Sequence, residues 1–543
     1  MTATIGRVDA DTLAGWLVDG DEIALLDARE QGVFLGGHLF HAACVPLSHL
    51  ELVLPTLVPR STTRLVWCDG GRVDGQTEDR TDDLADRAAT RAAALGWTDV
   101  HVLDGGVAAW AASGREVYRG VNVPSKAFGE HVEHHDGTPR MPADEVKRLL
   151  DDGANVVVLD SRPIEEFRRM SIPTGIDCPG AELVHRVKEV VHDPDTLVVV
   201  NCAGRTRSII GCQSLVNAGI ENRVVALENG TMGWELAGYD VARGRDDHAP
   251  DPGPAARAWA EHAAADVGHR FGVAHIDTAT LDDWLDDETR TTYVLDVRTP
   301  EEFRDGHLAG SRSAPGGQLV QATDEYVATR NARLALVDDN GVRATMTASW
   351  LRQMGWQDTV VVDDALTAVD LVTGPSPRPC GPDVATIRPT DLAARLDEPG
   401  LAVLDVGTSL TYRNRGHIPG AWWGVRSRLT DARDAIGDVD VLAITSGDGR
   451  LAELTVPDAE RRWPDATVVA VAGGTRSWRH AGHEIESGFT RPTTSPDDVW
   501  YKPYDHEGEV VATHMQDYLT WEIALVEQLD RDPTVSFPTF EPG

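Results

Sequence analysis

A chain of 543 residues is too long for one ordinary core and implies roughly three to five domains of about 100 to 200 residues each. Its formal charge of −37, with Lys126, Lys147, Lys188 and Lys502 as the only lysines, excludes nucleic acid and anionic membrane surfaces as natural partners. No apolar run approaches the roughly 20 residues that span a bilayer, and the start Met1-Thr2-Ala3-Thr4-Ile5-Gly6 lacks the basic-then-apolar pattern of a signal peptide, so the expected location is cytoplasmic.

Along the chain, an apolar strand ending in Asp recurs at domain spacing: Leu25-Leu26-Asp27-Ala28-Arg29, Val158-Leu159-Asp160-Ser161-Arg162, Val294-Leu295-Asp296-Val297-Arg298 and Val403-Leu404-Asp405-Val406-Gly407. Behind it come Gly37-His38-Leu39, Ser171-Ile172-Pro173-Thr174-Gly175, Gly306-His307-Leu308 and Gly416-His417-Ile418-Pro419-Gly420. Late in three units a Gly-containing turn leads to a tryptophan: Gly105-Gly106 to Trp110, Asn229-Gly230 to Trp234 and Gly473-Gly474 to Trp478. The third unit has Asp363-Asp364 and Val369 there. Short apolar strands alternating with helical stretches indicate crossover units, and hence small α/β domains on parallel sheets. The units run 1–122, 123–245, 266–374 and 383–489, with linkers at Gly244 to Pro254 and Thr373 to Pro382 and a weaker boundary near Arg119 to Lys126. The tail, 490–543, carries an apolar stripe at Met515, Leu519, Ile523, Leu525, Val526 and Leu529, which predicts a helix that packs across domains or forms an interface.

Chemistry concentrates in the second unit. The strand Thr196 to Asn201 leads into Cys202-Ala203-Gly204-Arg205-Thr206-Arg207-Ser208, followed by a helix-like stretch from Ile209 to Ala218. A cysteine between a buried strand and a helix N-terminus sits among unpartnered amides that favour anions. Such a place, with arginines near, lowers a thiol pKa, so Cys202 is expected to be unusually nucleophilic. Arg205 and Arg207 supply planar donors suited to an oxyanion such as thiosulfate, sulfite or phosphate.

The ordered set of LDxR strand, Glu-Phe as in Glu165-Glu166-Phe167 and Glu301-Glu302-Phe303, GHIPGA-type phrase, cysteine loop and Gly-Gly-Trp end resembles the rhodanese superfamily, repeated four times over about residues 1 to 490. The resemblance implies four tandem domains, each a parallel five-stranded sheet flanked by helices, plus a helical C-terminal extension. It implies a thiosulfate sulfurtransferase without cofactor. Cys202 would take a sulfane sulfur as a persulfide and pass it to a thiophilic acceptor, cyanide in an assay or a thiol in the cell. Ala203 to Ser208 would wrap the sulfur with their amides, and Arg205 and Arg207 would face the incoming anion. The related phosphatases and arsenate reductases use a loop longer by one residue, with arginine six after cysteine, where this chain has Ser208. Those activities, and a non-catalytic scaffold or sulfur-responsive binding protein, are the alternatives.

The remaining loops read as silent. Asp338 stands at the cysteine position of the third unit, Thr445-Ser446-Gly447 offers hydroxyls in the fourth, and Cys68 of the first is a second candidate nucleophile in an acidic loop, Asp69-Gly70-Gly71-Arg72 to Asp74. Cys212 reads as core. Cys44 and Cys178 are expected to hold matching structural places, and Cys380 lies in a linker. Six cysteines without a C-x-x-C pair argue for reduced thiols and no metal site. Asp160 and Arg162 read as a buried structural ion pair, and His38, His307 and His417 as structural. Expected partners are a small-molecule sulfur donor and a thiol acceptor, with a protein partner or self-association through the silent units or the tail. The acidic charge reflects a solvated surface or salt adaptation.

Overall fold

The computed structural model describes residues 4–71, 83–367, 370–376, 379 and 381–540; Arg72, Asp74, Val369 and Cys380 lie outside them. Four five-stranded sheets share one order: counted along each unit, first, fifth, fourth, second, third. Every ladder is parallel. The fourth strand of each unit is therefore central: Arg64–Cys68, Leu197–Asn201, Arg333–Val337 and Val441–Thr445. Leu197–Asn201 is buried along its whole length, as its valine run requires of a strand covered on both faces. Loops at the carboxyl ends of such central strands open toward helix N-termini, where α/β folds bind ligands.

The Asp-to-Arg phrases close on themselves. Arg29, Arg162 and Arg298 each donate through Nε and Nη2 to Asp27, Asp160 and Asp296, and through Nη2 also to a carbonyl, of Gly37, Met170 and Gly306 respectively. Each pair ties the end of the second strand to the chain that returns as the third. In the fourth unit Gly407 replaces the arginine, and Asp405, its carboxyl pushed up to about 6 by burial, accepts from the Gly407 amide at 2.8 Å. His38, His307 and His417 stack on Phe34, Phe303 and Tyr412 with ring centroids 3.5–3.8 Å apart.

Two helices were not expected. Val123–Asp136 begins at the weaker boundary, and Pro254–Arg270 occupies much of the unassigned stretch between the second and third units. The second of these is alanine-rich and sinks Ala260, Ala263, Ala264 and Val267 into a core shared with both units. Small residues let neighbouring backbones approach but leave little apolar periodicity to read. Cys44 and Cys178 are not equivalent: the sheet aligns Asp27 with Cys44 but Asp160 with Asp177, so Cys178 is one residue further on and on the opposite face. Cys212 packs in the second unit's core, as expected.

The tail forms the helix Val510–Leu529, which buries Met515, Leu519, Glu522 and Leu525. Ile523, expected on the apolar stripe, is 51% exposed, and an acid takes the inward place. Among the described residues no helix is long and apolar enough to cross a membrane.

Candidate active site

Strand Leu197–Asn201 delivers Cys202, and the helix begins earlier than expected, at Thr206, so that Arg207 and Ser208 belong to its first turn. The loop is held from below by the turn Asn229-Gly230-Thr231. The Thr231 amide and hydroxyl both donate to the Cys202 carbonyl, at 2.8 and 3.0 Å, and the Met232 amide donates to Ala203. Gly230 is required here: at φ +56° a side-chain carbon would stand 2.5 Å from the Cys202 carbonyl oxygen. Asn201 donates to Asp160 and Thr231, which joins the buried Asp160–Arg162 pair to the loop.

Cys202 is 2% exposed. Its thiol hydrogen points at the Ser208 hydroxyl, Sγ to Oγ 3.5 Å, and that hydroxyl donates to the Arg205 carbonyl. Burial pushes the Cys202 thiol above its ordinary value, while Arg207 and the Ser208 hydroxyl and amide pull the other way without prevailing. The expected activated thiolate is thus corrected: desolvation outweighs the helix terminus and the nearby arginine.

The arginines are corrected as well. Arg205 reaches away from the sulfur to Glu130, Nε to Oε1 and Nη2 to Oε2 both 2.7 Å, to Glu133, and to the Asn229 side chain at 3.2 Å. It clamps the loop to helix Val123–Asp136. Burial lifts Glu130 to about 7 even against Arg205. Arg207 forks onto Glu166 at 3.1 and 2.8 Å and meets Gln318 of the third unit at 3.2 Å. Burial works against ionisation of Glu166, but the Arg207 charge holds it down at about 2. The third unit, with no nucleophile, repeats this fork as Arg343 on Glu302, at the same separation of 41 residues. The Arg207 pair is therefore part of the scaffold, while its charge still acts on the Cys202 thiol.

Over the loop lies the tail. Ala203 packs with Met232, Met515 and Leu519, and Tyr518 and Glu522 face Gly204. Thr206 donates to Glu522 at 2.7 Å. Lys126, buried, donates to the Val121 carbonyl and lies 4.9–5.1 Å from the ring centroids of Trp500, Tyr518 and Trp521. Burial lowers its ammonium to about 8, which Glu522 resists. Glu130, Glu133, Tyr518 and Glu522 were not singled out from sequence. Glu522 had a signal: it interrupts the helix's apolar face three residues after Leu519 and three before Leu525.

Register decides the remaining candidates. Asp160 pairs with Asn201, and at the same place Asp27 pairs with Cys68, Asp296 with Val337 and Asp405 with Thr445. The counterparts of Cys202 are thus Asp69, Asp338 and Ser446. Cys68 is one residue early, inside the strand, with Sγ 3.7 Å from an Asp27 carboxylate oxygen; burial first and Asp27 next push its thiol well up. That removes the geometric basis for Cys68 as a second nucleophile.

The rhodanese-like domain model matches residues 9–113, 142–237 and 277–370. A crystal structure of a thiosulfate sulfurtransferase from Pseudomonas aeruginosa superimposes with a TM-score of 0.93 at 46% identity, covering 99% of this chain and 100% of that one. YrkF of Bacillus subtilis (strain 168) is 25% identical over 148 residues, 25% of this chain and 78% of its own length. With the family model matched over more than half its length, and a whole-length relative of the same fold, the chain belongs to the rhodanese-like domain family.

Proposed function

We propose that the protein is a cytoplasmic sulfurtransferase that takes sulfane sulfur from thiosulfate or a related donor onto Cys202 and passes it to a thiol. One observation carries this reading: of four equivalent strand-end positions, only that of the second unit holds a thiol, and it stands against the amide and hydroxyl of Ser208. The whole-length likeness to a protein described as a thiosulfate sulfurtransferase supports the choice of donor.

In the first half-reaction Cys202 gives up its proton and attacks the outer sulfur of thiosulfate. The S–S bond of the donor breaks, and sulfite leaves with the electron pair. The Ser208 hydroxyl, which accepts from the thiol at rest, can turn to donate to the thiolate or persulfide. Loop amides then stabilise the anionic sulfur with fixed dipoles. In the second half-reaction an acceptor removes the outer sulfur and restores the thiolate.

Thiosulfate-to-cyanide transfer, compared between the parent, Cys202→Ser and Cys68→Ser, tests the reading. Loss with the first substitution alone, together with a gain of one sulfur mass on Cys202 after thiosulfate, is the expected result. A loop that folds yet never gains sulfur from any donor would favour the scaffold reading, which the burial of Cys202 keeps in view.

A further inference from the structure

The tail brings an acid to the cysteine loop. Glu522 is 1% exposed, and its Oε1 accepts from Thr206 at 2.7 Å and from the Tyr518 hydroxyl at 3.3 Å. Its Oε2 is buried without a hydrogen-bond partner. That second oxygen lies over the loop, where a side-chain carbon on Gly204 would stand 3.3 Å from it. A buried carboxylate oxygen left unsatisfied costs free energy. The neighbouring cations attract Glu522 but give that oxygen no hydrogen bond: Lys126 is turned to the Val121 carbonyl and three rings, and Arg205 to Glu130, Glu133 and Asn229.

The helix that carries Glu522 is fastened on both sides. Before it, Arg169 holds the Tyr504 carbonyl and the Asp505 carboxylate; after it, Arg531 pairs with Glu116, and Tyr118 donates to Asp532. Undocking would break both sets at once. An acceptor would therefore have to reach the loop past the Met515 and Tyr518 side chains, with Glu522 left in place.

We propose that Glu522 is a specificity-determining residue of the Cys202 site, whose free oxygen accepts a hydrogen bond from a cationic N–H group on the acceptor, so that aminothiols are the preferred sulfur acceptors. This rests on the sulfurtransferase reading. The acceptor thiolate attacks the outer sulfur of the Cys202 persulfide; a new S–S bond forms, the bond to Sγ breaks with its electron pair remaining on Sγ, and the acceptor departs as a persulfide. An ammonium beside the acceptor's sulfur is attracted to Glu522, and a carboxylate there is repelled. The same charge opposes thiosulfate, a dianion.

The test uses the full chain, loaded with thiosulfate and checked by mass spectrometry, with cysteamine and 3-mercaptopropionate as acceptors of opposite charge. The parent is expected to favour cysteamine by about tenfold in kcat/KM, and Glu522→Gln to shrink that ratio to about twofold while lowering the KM for thiosulfate. A merely structural role for Glu522 would slow both acceptors together and would not lower a KM. Equal rates with the two acceptors in the parent, a measurement that needs no variant, would overturn the proposal, as would a preference unchanged by Glu522→Gln. If Cys202 gains no sulfur, the sulfurtransferase reading falls and takes this one with it; if it gains sulfur and the preference does not move, the Glu522 assignment falls alone.

Discussion

The second unit's loop and the other three use one cradle and fill it differently. In the first unit Asp69 turns its own carboxylate inward and accepts from the amides of Gly71 and Ala85 at 3.0 and 2.9 Å. In the third, Asp338 accepts from Gly341 and Ala344 at 2.6 and 2.9 Å, and in the fourth the Ser446 hydroxyl accepts from Ala452 at 3.2 Å. Each of these three loops thus carries an internal oxygen where the second unit has sulfur. A strand-to-helix turn of this kind favours anions. On the proposed function, the residue at its head separates the second loop from the others, by satisfying the amides itself or carrying an incoming group to them.

The largest effect should come from removing that difference. Cys202→Ser puts a hydroxyl at the head of the second loop, as Ser446 does in the fourth, and should lower thiosulfate-to-cyanide transfer by at least about 10³-fold. Cys68→Ser, which alters a strand residue facing Asp27, should leave the rate within about twofold of the parent's. Comparable losses in both variants would mean that the strand register misplaces the nucleophile.

The pH dependence of loading sharpens the comparison next. Thiolate is the reactive form. Because burial raises the Cys202 thiol, the fraction ionised at neutral pH is small, and the single-turnover rate with thiosulfate should climb about tenfold per pH unit on the alkaline side until the raised value is passed. A rate already level below the ordinary thiol range would contradict the desolvated environment described here.

Emptying the third unit's cradle is the converse operation. Asp338→Ala leaves the amides of Gly341 and Ala344 without their acceptor, which should cost about 1–3 kcal/mol in denaturant unfolding. Sulfate should then stabilise the variant more than the parent, since it can occupy the vacated place. An equal response to sulfate would show that the third loop is not an anion cradle in the sense of the second.

The fold was legible because its phrases repeat. An Asp at the end of the second strand marks all four units, a Gly-His phrase and a Gly-to-Trp end mark three each, and the sheets follow them. The place of Cys202 just past a central strand was legible too, from the apolar run before it and the glycine and arginines after it. What escaped depended on contacts between elements distant in sequence. Arg205 and Arg207 read as free donors, because Glu130 and Glu133 lie on an unexpected helix and Glu166 stands 41 residues before Arg207. Cys68 misled by one residue: strands of similar composition do not announce register, and only pairing with Asp27 places it. Glu522 is masked by the apolar stripe around it, in which the informative feature is the buried acid.

The smallest effect concerns a charge peculiar to the second unit. Where the third strand meets the second, the first, third and fourth units place Cys44, Ser313 and Trp423, whereas the second places Asp177 opposite Asp160. Asp177 is 5% exposed, its Oδ1 has no hydrogen-bond partner, and burial, aided by the Asp160 charge, raises its carboxyl to about 8. An acid whose folded pKa is raised contributes stability that is complete below its unfolded value, near 4, and is lost as pH rises through the folded value. The parent should therefore lose stability from about pH 4 up to about pH 8 and level off above it, where the carboxylate is ionised in place. Asp177→Asn, which keeps the shape and cannot ionise, should be close to the parent at about pH 4 and exceed it by at least about 1 kcal/mol at about pH 9, read from denaturant midpoints at the two pH values. A variant less stable at both would mean that the carboxylate is held ionised by partners the other units lack.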